Sequence, residues 1–250
     1  MTTGSAAAEK ASAESFLGVD ASLSGKRWVR RPGDQRLGLT ISQRYGLPDV
    51  IGQVLASRGV ELDAVEAFLN PALKSSIPDP SHLKDMDAGA ERLASAIMQG
   101  ETISVFGDYD VDGATSSALL SRFIRGVGGR VRVYIPDRLK EGYGPNLPAL
   151  MKLKDEGASV VVTVDCGITA HDVLGAATDA GLDVIVVDHH VAEPKLPKAI
   201  AVINPNRLDE TSVHGNLAAV GVAFLLVVAV NRVLRAADWY KSRGEPDLMR

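Results

Sequence analysis

Three aspartates stand at alternate positions in the stretch GDYDVDG: Asp108, Asp110 and Asp112. The stretch follows the apolar run TISVF and precedes an apolar helix pattern, so these carboxylates should lie at the edge of a hydrophobic core. Neighbouring carboxylates repel one another, and partial burial adds a desolvation cost to each charge. A bound cation would offset both penalties, so the stretch is a candidate cation site.

Acidic and imidazole side chains recur at the ends of two later apolar runs. VVVTVD ends at Asp165, and VIVVD ends at Asp188 and continues into His189 and His190. In an open parallel sheet, ligands bind at the carboxyl ends of the strands, so the fold should bring these groups together. A single aspartate there is equally explained as the N-cap of the next helix. Three such strand ends with a histidine pair favour a binding site.

The types of side chain indicate which cation would bind. Carboxylate oxygens suit hard divalent cations and imidazole suits Mn²⁺ and Zn²⁺, so this set without thiolates favours Mn²⁺ or Mg²⁺. The number of acids predicts two ions with one carboxylate bridging them. Two ions about 3.5 to 4 Å apart are a common apparatus for hydrolysing phosphate esters. The sequence therefore predicts metal-dependent phosphoester hydrolysis.

The elements that must position these groups alternate along the chain. Apolar runs rich in Val and Ile predict strands at 102–108, 130–137, 159–167, 183–190 and 200–205. Helical spacing predicts helices between them at 87–100, 114–128, 146–157 and 169–181. This alternation predicts βαβ units, and the near-continuous apolar strands predict a sheet covered on both faces. The predicted fold class is α/β, with a parallel β-sheet flanked by helices.

Three segments are predicted along the chain. Residues 1–25 are rich in Ala and Ser and predict a disordered tail. Residues 26–86 contain short helical patterns that end at Gly or Pro, which predicts a small helical N-terminal segment. Residues 87–250 carry the α/β pattern.

Composition narrows the functional classes. Lys and Arg total 27 against 31 Asp and Glu, so no strong overall field attracts nucleic acid. Cys166 is the single cysteine, which excludes an internal disulfide and a thiolate zinc cluster and fits a reducing cytoplasm. The apolar run from Leu217 to Val230 is shorter than the roughly 18 residues of a membrane span. It predicts a buried helix, and we expect a cytoplasmic monomer without a membrane.

The motifs resemble a known family. GDYDVDG, VDCGI and VDHH are similar to the first three signature motifs of the DHH phosphoesterase superfamily. Within it, FLNPALKSSIPDPSHLKDMD, RLKEGYG, INPNR and LAAVGVAF resemble the RecJ-type exonucleases, from about Trp28 to about Arg235. The resemblance implies the DHH phosphoesterase fold and two-metal hydrolysis of single-stranded DNA in the 5′→3′ direction, releasing mononucleotides. It also implies a role in DNA repair and recombination, and a single-strand-binding protein as a candidate partner.

The resemblance implies metal ligands residue by residue. Asp110, Asp112 and His189 match positions that hold Mn²⁺ or Mg²⁺. Asp108 is implied to be a further ligand or an acid just outside the ligand shell. Asp165 matches the carboxylate that bridges the two ions, which makes it a catalytic residue.

The resemblance also implies residues for the substrate. His190 matches the catalytic histidine that faces the scissile phosphate, and Asp188 is expected to hold a histidine in the correct tautomer. Arg138 matches a position that grips substrate phosphate, which suits its bidentate fork. Tyr143 could stack on a base, with simple packing as the alternative. His171 is expected to be structural.

The chain departs from the family at its end. The family continues with a fourth motif, whose aspartate completes the metal site, and with a second domain that holds DNA. This sequence stops at EPDLMR, so we expect an N-terminal fragment with weak or no activity alone.

Two alternative functions stay open. A DHH-family phosphodiesterase or pyrophosphatase acting on small nucleotides would use the same acids, and a non-catalytic relative would keep only the scaffold. The helical N-terminal segment and RLKEGYG favour the exonuclease. The acidic net charge is mildly against DNA binding, although residues 121–156 hold eight Lys and Arg against four acids.

Overall fold

The computed structural model describes residues 15–29, 31 and 33–247. The chain divides between Ser76 and Ile77 into two units, each with its own hydrophobic core. The sequence predicted the boundary at Asp87 instead. The second unit starts ten residues earlier because Ile77, Leu83 and Met86 already pack into its core.

The first unit is helical, as its sequence pattern predicts. Its helices are α1 (Gln35–Tyr45), α2 (Asp49–Ser57), α3 (Val65–Leu69) and α4 (Leu73–Ser76). Asp34 caps α1 by accepting a hydrogen bond from the Arg36 backbone N–H at 2.8 Å. Most of the predicted disordered tail lies outside the described residues. The structure describes residues 15–25 of that tail, in which Phe16 N donates to Trp28 O at 2.8 Å and Val19 O accepts from Trp28 N at 3.0 Å.

The second unit contains a five-stranded parallel sheet, and the α/β prediction is confirmed. Its strands are β1 (Thr102–Gly107), β2 (Arg130–Tyr134), β3 (Ala158–Val164), β4 (Asp183–Val187) and β5 (Ala201–Ile203), in the order β2-β1-β3-β4-β5. The accompanying helices are α5 (Met86–Gln99), α6 (Val111–Gly126), α7 (Arg138–Glu141), α8 (Leu147–Asp155), α9 (His171–Asp179) and α10 (Ala219–Ala236). The four-residue helix α7 was not predicted.

Hydrophobic cores cover both faces of this sheet. Alternate residues of a strand point to opposite faces, so Val105 enters the core with α5, α6 and α10, whereas Phe106 enters the core with α8 and α9. The 18-residue helix α10 has a mean hydropathy of 1.9, so by length and composition it could cross a membrane. In the structure more than half of α10 is buried against the sheet and its neighbours, as a core helix is.

Candidate metal and phosphate site

The site forms where three neighbouring parallel strands end in the same row. Gly107 of β1 pairs with Val164 of β3, which pairs with Val187 of β4. The next residue along each strand is an aspartate: Asp108, Asp165 and Asp188. Strand register therefore aligns these carboxylates at one edge of the sheet, and all three are buried.

The GDYDVDG turn places two further carboxylates beside them. Asp110 is the N-cap of α6 and accepts a hydrogen bond from Gly113 N at 3.0 Å, the main reason that its pKa lies below the usual value although partial desolvation opposes this shift. Helix α6 starts at Val111, three residues earlier than predicted, so Asp112 lies in its first turn. A Cβ on Gly113 would stand 2.3 Å from Asp108 O, so only glycine allows the helix to begin this close to the strand end.

Asp165 occupies the most constrained position in the site. Its backbone is left-handed at φ 60°, a conformation that costs most residues free energy but that Asp tolerates. Its side chain is buried, and Oδ1 has no hydrogen-bond partner among the described residues. Burial, together with a hydrogen bond and charge repulsion from Asp110, raises the pKa of Asp165 to about 7. A buried carboxylate oxygen without a partner fits a cation ligand.

His189 turns a nitrogen lone pair toward this carboxylate. Its Nδ1 lies 3.1 Å from Leu217 O, and because a carbonyl only accepts, Nδ1 must carry the proton of the neutral ring. Nε2 is then the unprotonated nitrogen, and it lies 3.2 Å from Asp165 Oδ1 and 3.8 Å from Asp112 Oδ2. A lone pair facing carboxylate oxygens is repulsive, and a cation among them would make the same arrangement favourable.

The candidate ligand atoms fall into two overlapping clusters. Asp108, Asp110 and Asp165 bring one oxygen each within 4.8 Å of one another, and Asp165, His189 and His190 do the same with oxygen and nitrogen. Asp165 belongs to both clusters, which is the arrangement that a bridging carboxylate needs. Among the described residues Asp112 lies beside these clusters rather than in them.

Both carboxylate oxygens of Asp188 form hydrogen bonds with other groups of the protein. Its Oδ2 accepts from Ile168 N at 3.0 Å, and its Oδ1 accepts from His189 N at 2.7 Å and His190 N at 3.2 Å. The same Oδ1 lies 2.7 Å from His190 Nδ1. Burial disfavours the charged ring of His190, but the hydrogen bond and charge of Asp188 outweigh it and raise the His190 pKa above its usual value. Asp188 therefore directs Nε2 of His190 away from itself.

An arginine that contacts two tyrosine rings lies next to the acidic clusters. The Arg138 guanidinium lies 4.9 Å from the Tyr109 ring centroid and 5.0 Å from that of Tyr143, and its Nη1 is 3.9 Å from Asp108 Oδ1. Tyr143 also donates from its hydroxyl to Asp165 O at 3.1 Å, and burial beside several carboxylates raises its pKa. Sequence reasoning missed Tyr109, although its place inside GDYDVDG was a usable signal.

The remaining histidines lie outside these clusters in the described part of the chain. His171 pairs with Glu193, with His171 Nε2 at 3.2 Å from Glu193 Oε2. His82 and His214 stack on each other with ring centroids 6.0 Å apart. The structural role predicted for His171 stays a prediction.

Comparison with known proteins identifies the class. Residues 102–246 match the model of the DHH family, N-terminal domain, and the chain belongs to this family. The resemblance to RecJ-type exonucleases is also confirmed. The single-stranded-DNA-specific exonuclease RecJ of Bacillus subtilis (strain 168) is 37% identical over 83% of this chain and 26% of its own length.

Solved structures agree with this placement. A crystal structure of exonuclease RecJ bound to manganese is 37% identical, with a TM-score of 0.55 over 61% of this chain and 38% of that chain. RecJ from Thermus thermophilus in complex with Mn²⁺ is 27% identical, with a TM-score of 0.63 over 84% of this chain and 28% of that chain. The chain thus spans between about a quarter and two fifths of these relatives.

Proposed function

We propose that this chain carries the metal and phosphate site of an exonuclease that degrades single-stranded DNA from its 5′ end and releases mononucleotides. One observation carries the proposal: Asp165 belongs to both ligand clusters and keeps a buried oxygen without a hydrogen-bond partner among the described residues. The chain's similarity to proteins named as single-stranded-DNA-specific exonucleases supports this substrate. We further propose a cytoplasmic monomer that acts in DNA repair and recombination with a single-strand-binding protein.

Two divalent cations, Mn²⁺ or Mg²⁺, fit the clusters. Asp108 and Asp110 would hold one ion, His189 with Asp112 the other, and Asp165 both. When bound, such ions supply hydroxide near neutral pH and stabilise the charge that develops on phosphoryl oxygens. The protein itself sets the ligand geometry: Asp110 is fixed as a helix cap and His189 by the Leu217 carbonyl.

The other polar side chains would position the substrate. His190 is held by Asp188 at Nδ1 and keeps Nε2 for the scissile phosphate or the leaving oxygen. The Arg138 guanidinium lies over the rings of Tyr109 and Tyr143, and the N–H groups at its edge would bind a phosphate. Tyr143 is half-exposed, and its ring would contact the first sugar or base.

Substrate comparison tests the proposed function. We expect the full translation product of this gene to digest a 5′-labelled single strand in Mn²⁺, and to act far more slowly on the matching duplex and on a dinucleotide. Faster cleavage of the dinucleotide would instead assign the site to small nucleotides. Loss of all three activities in a protein that still binds Mn²⁺ would indicate a scaffold.

Metal binding should depend on pH. The metal-free pKa of Asp165 is raised to about 7, so binding must displace a proton from a site that is largely protonated at pH 6. We expect calorimetry on this chain to show Mn²⁺ affinity rising between pH 6 and pH 8, with net proton release. Mn²⁺ should bind more tightly than Mg²⁺ because an imidazole is among the ligands. Equal affinity at the two pH values would contradict the assignment of Asp165.

Arg138→Lys should weaken substrate binding although it keeps the charge. A lysine ammonium cannot present two parallel donors to a phosphate, and it lacks the planar guanidinium that lies over the Tyr109 and Tyr143 rings. We expect the affinity for a dye-labelled single-stranded oligonucleotide to fall about tenfold, roughly 1.4 kcal/mol. Arg132→Lys is the matched control. Arg132 lies on the exposed edge strand β2 and pairs there with Glu156, which follows α8. Equal losses in the two variants would show a general charge effect instead of a phosphate contact.

A further inference from the structure

Two asparagines of the INPNR stretch hold the backbone of the histidine pair. Strand β5 ends at Ile203 beside β4, so the residues that follow both strands meet at the same edge of the sheet. Asn204 Nδ2 donates to His190 O at 2.9 Å, and Asn206 Nδ2 donates to His189 O at 2.5 Å. Asn204 is fully buried, and its Oδ1 accepts from Asn206 N at 2.7 Å. The two asparagines therefore act as one connected support.

Asp188 binds the backbone N–H groups of the same two histidines. His189 N and His190 N both donate to Asp188 Oδ1, so three side chains bind all four backbone polar groups of the pair. The histidines lie beyond the last residue of β4, where the strand ladder no longer supplies partners. These side chains take its place and fix the backbone from which both rings project.

Asn206 also reaches the loop that orients the His189 ring. Its Nδ2 donates to Gly215 O at 3.1 Å, and two residues further on Leu217 O faces His189 Nδ1. Both partners of Nδ2 are carbonyls, which only accept, so the orientation of this amide is fixed. A Cβ on Gly215 would lie 2.7 Å from Asn206 Oδ1, so the glycine leaves room for the contact.

We propose that Asn206 is a positioning residue that keeps His189 in its Nδ1–H tautomer with Nε2 facing Asp165, and that Asn204 supports the backbone of His190 in the same way. The His189 tautomer is a property of the metal-free chain, so this part of the proposal does not depend on the proposed function. The predicted effect on metal affinity rests on the proposed function. One experiment with two readouts separates the two.

Asn206→Asp exchanges the donor amide for an acceptor of the same shape. In the metal-free chain at pH 8, we expect the ¹⁵N shifts of His189 to move from a single Nδ1–H pattern toward a mixture of tautomers. The Kd for Mn²⁺ should rise about 10- to 100-fold, as for other groups that orient metal ligands. Asn216→Asp is the matched control, because Asn216 is exposed in the same loop and undergoes the same exchange. It should change neither readout.

Gly215→Ala disturbs the same contact from the other side and leaves Asn206 in place. Circular dichroism and thermal melting would check that each variant folds. The His189 ¹⁵N shifts and the Mn²⁺ Kd should change in the same direction as in Asn206→Asp. Unchanged His189 shifts and a Mn²⁺ Kd within about threefold of the original in both variants would overturn the proposal. Altered shifts in a chain that never binds Mn²⁺ would support the positioning role and reject the metal function.

Discussion

Asp165→Asn is expected to abolish nuclease activity while the protein stays folded. The substitution removes the one carboxylate that both ligand clusters share among the described residues, so ligands for both ions are lost together. We expect activity to fall at least 1,000-fold, about 4 kcal/mol of barrier. Single-turnover digestion of a 5′-labelled oligonucleotide by the full translation product measures the loss. Activity within about tenfold of the original would show that Asp165 does not bridge the metals.

The structure favours asparagine over alanine for this test. At φ 60° Asn adopts the left-handed conformation more readily than Ala, so the variant avoids backbone strain unrelated to metal binding. Asp165→Ala should lose activity equally and melt at a lower temperature than Asp165→Asn. Melting of both variants by circular dichroism therefore separates the chemical role of the side chain from its conformational role.

The same variant should stabilise the metal-free chain above neutral pH. The folded pKa of Asp165, about 7, is raised above the usual value of 3.8, so folding favours the protonated acid. The contribution of protonated Asp165 to the free energy of unfolding is fully present below about pH 4 and is lost as the pH rises through about 7. We expect Asp165→Asn to melt like the original chain at pH 4 and at a higher temperature at pH 8. Saturating Mn²⁺ should remove that advantage, because it stabilises only the original chain.

His190→Ala is the second large effect, and it should separate chemistry from metal binding. His190 is anchored to Asp188 through Nδ1, so its remaining nitrogen is free to face a phosphate. We expect the rate to fall about 100- to 10,000-fold, the usual range for a lost general acid or base. Because Asp165 and His189 keep their own supports, the Mn²⁺ affinity of the chain should change little.

Calorimetry decides between the two roles open to His190. Its ring contributes an atom to the cluster of Asp165 and His189, so the geometry also permits direct coordination. Loss of one Mn²⁺ in His190→Ala would make it a metal ligand and leave the phosphate contact to Arg138. His171→Ala is the control, since His171 pairs with Glu193 outside the clusters in the described part of the chain. It should change neither the rate nor the metal affinity.

The α/β architecture and the carboxylates at its strand ends were predictable from the sequence. Val- and Ile-rich runs alternating with helical spacing are local signals, and the parallel sheet that they imply brings successive strand ends to one edge. This is why the sequence alone could group Asp108, Asp165 and Asp188 at one site. The ends of the elements were less predictable: α6 begins three residues before its apolar pattern, because Asp110 caps it through Gly113 N.

The tertiary structure alone decided how these groups face one another. The Leu217 carbonyl fixes the His189 tautomer from 28 residues away, and every residue has a carbonyl, so the sequence carries no signal for that choice. Arg138 contacts both Tyr109 and Tyr143 only because the chain after β2 turns back toward the GDYDVDG loop. The sequence by itself determined which chemical groups reach the edge of the sheet. Strand register and loop packing determined which carboxylate oxygen has no hydrogen-bond partner in the described part of the chain and is available to a metal, because both depend on contacts between residues far apart in the sequence.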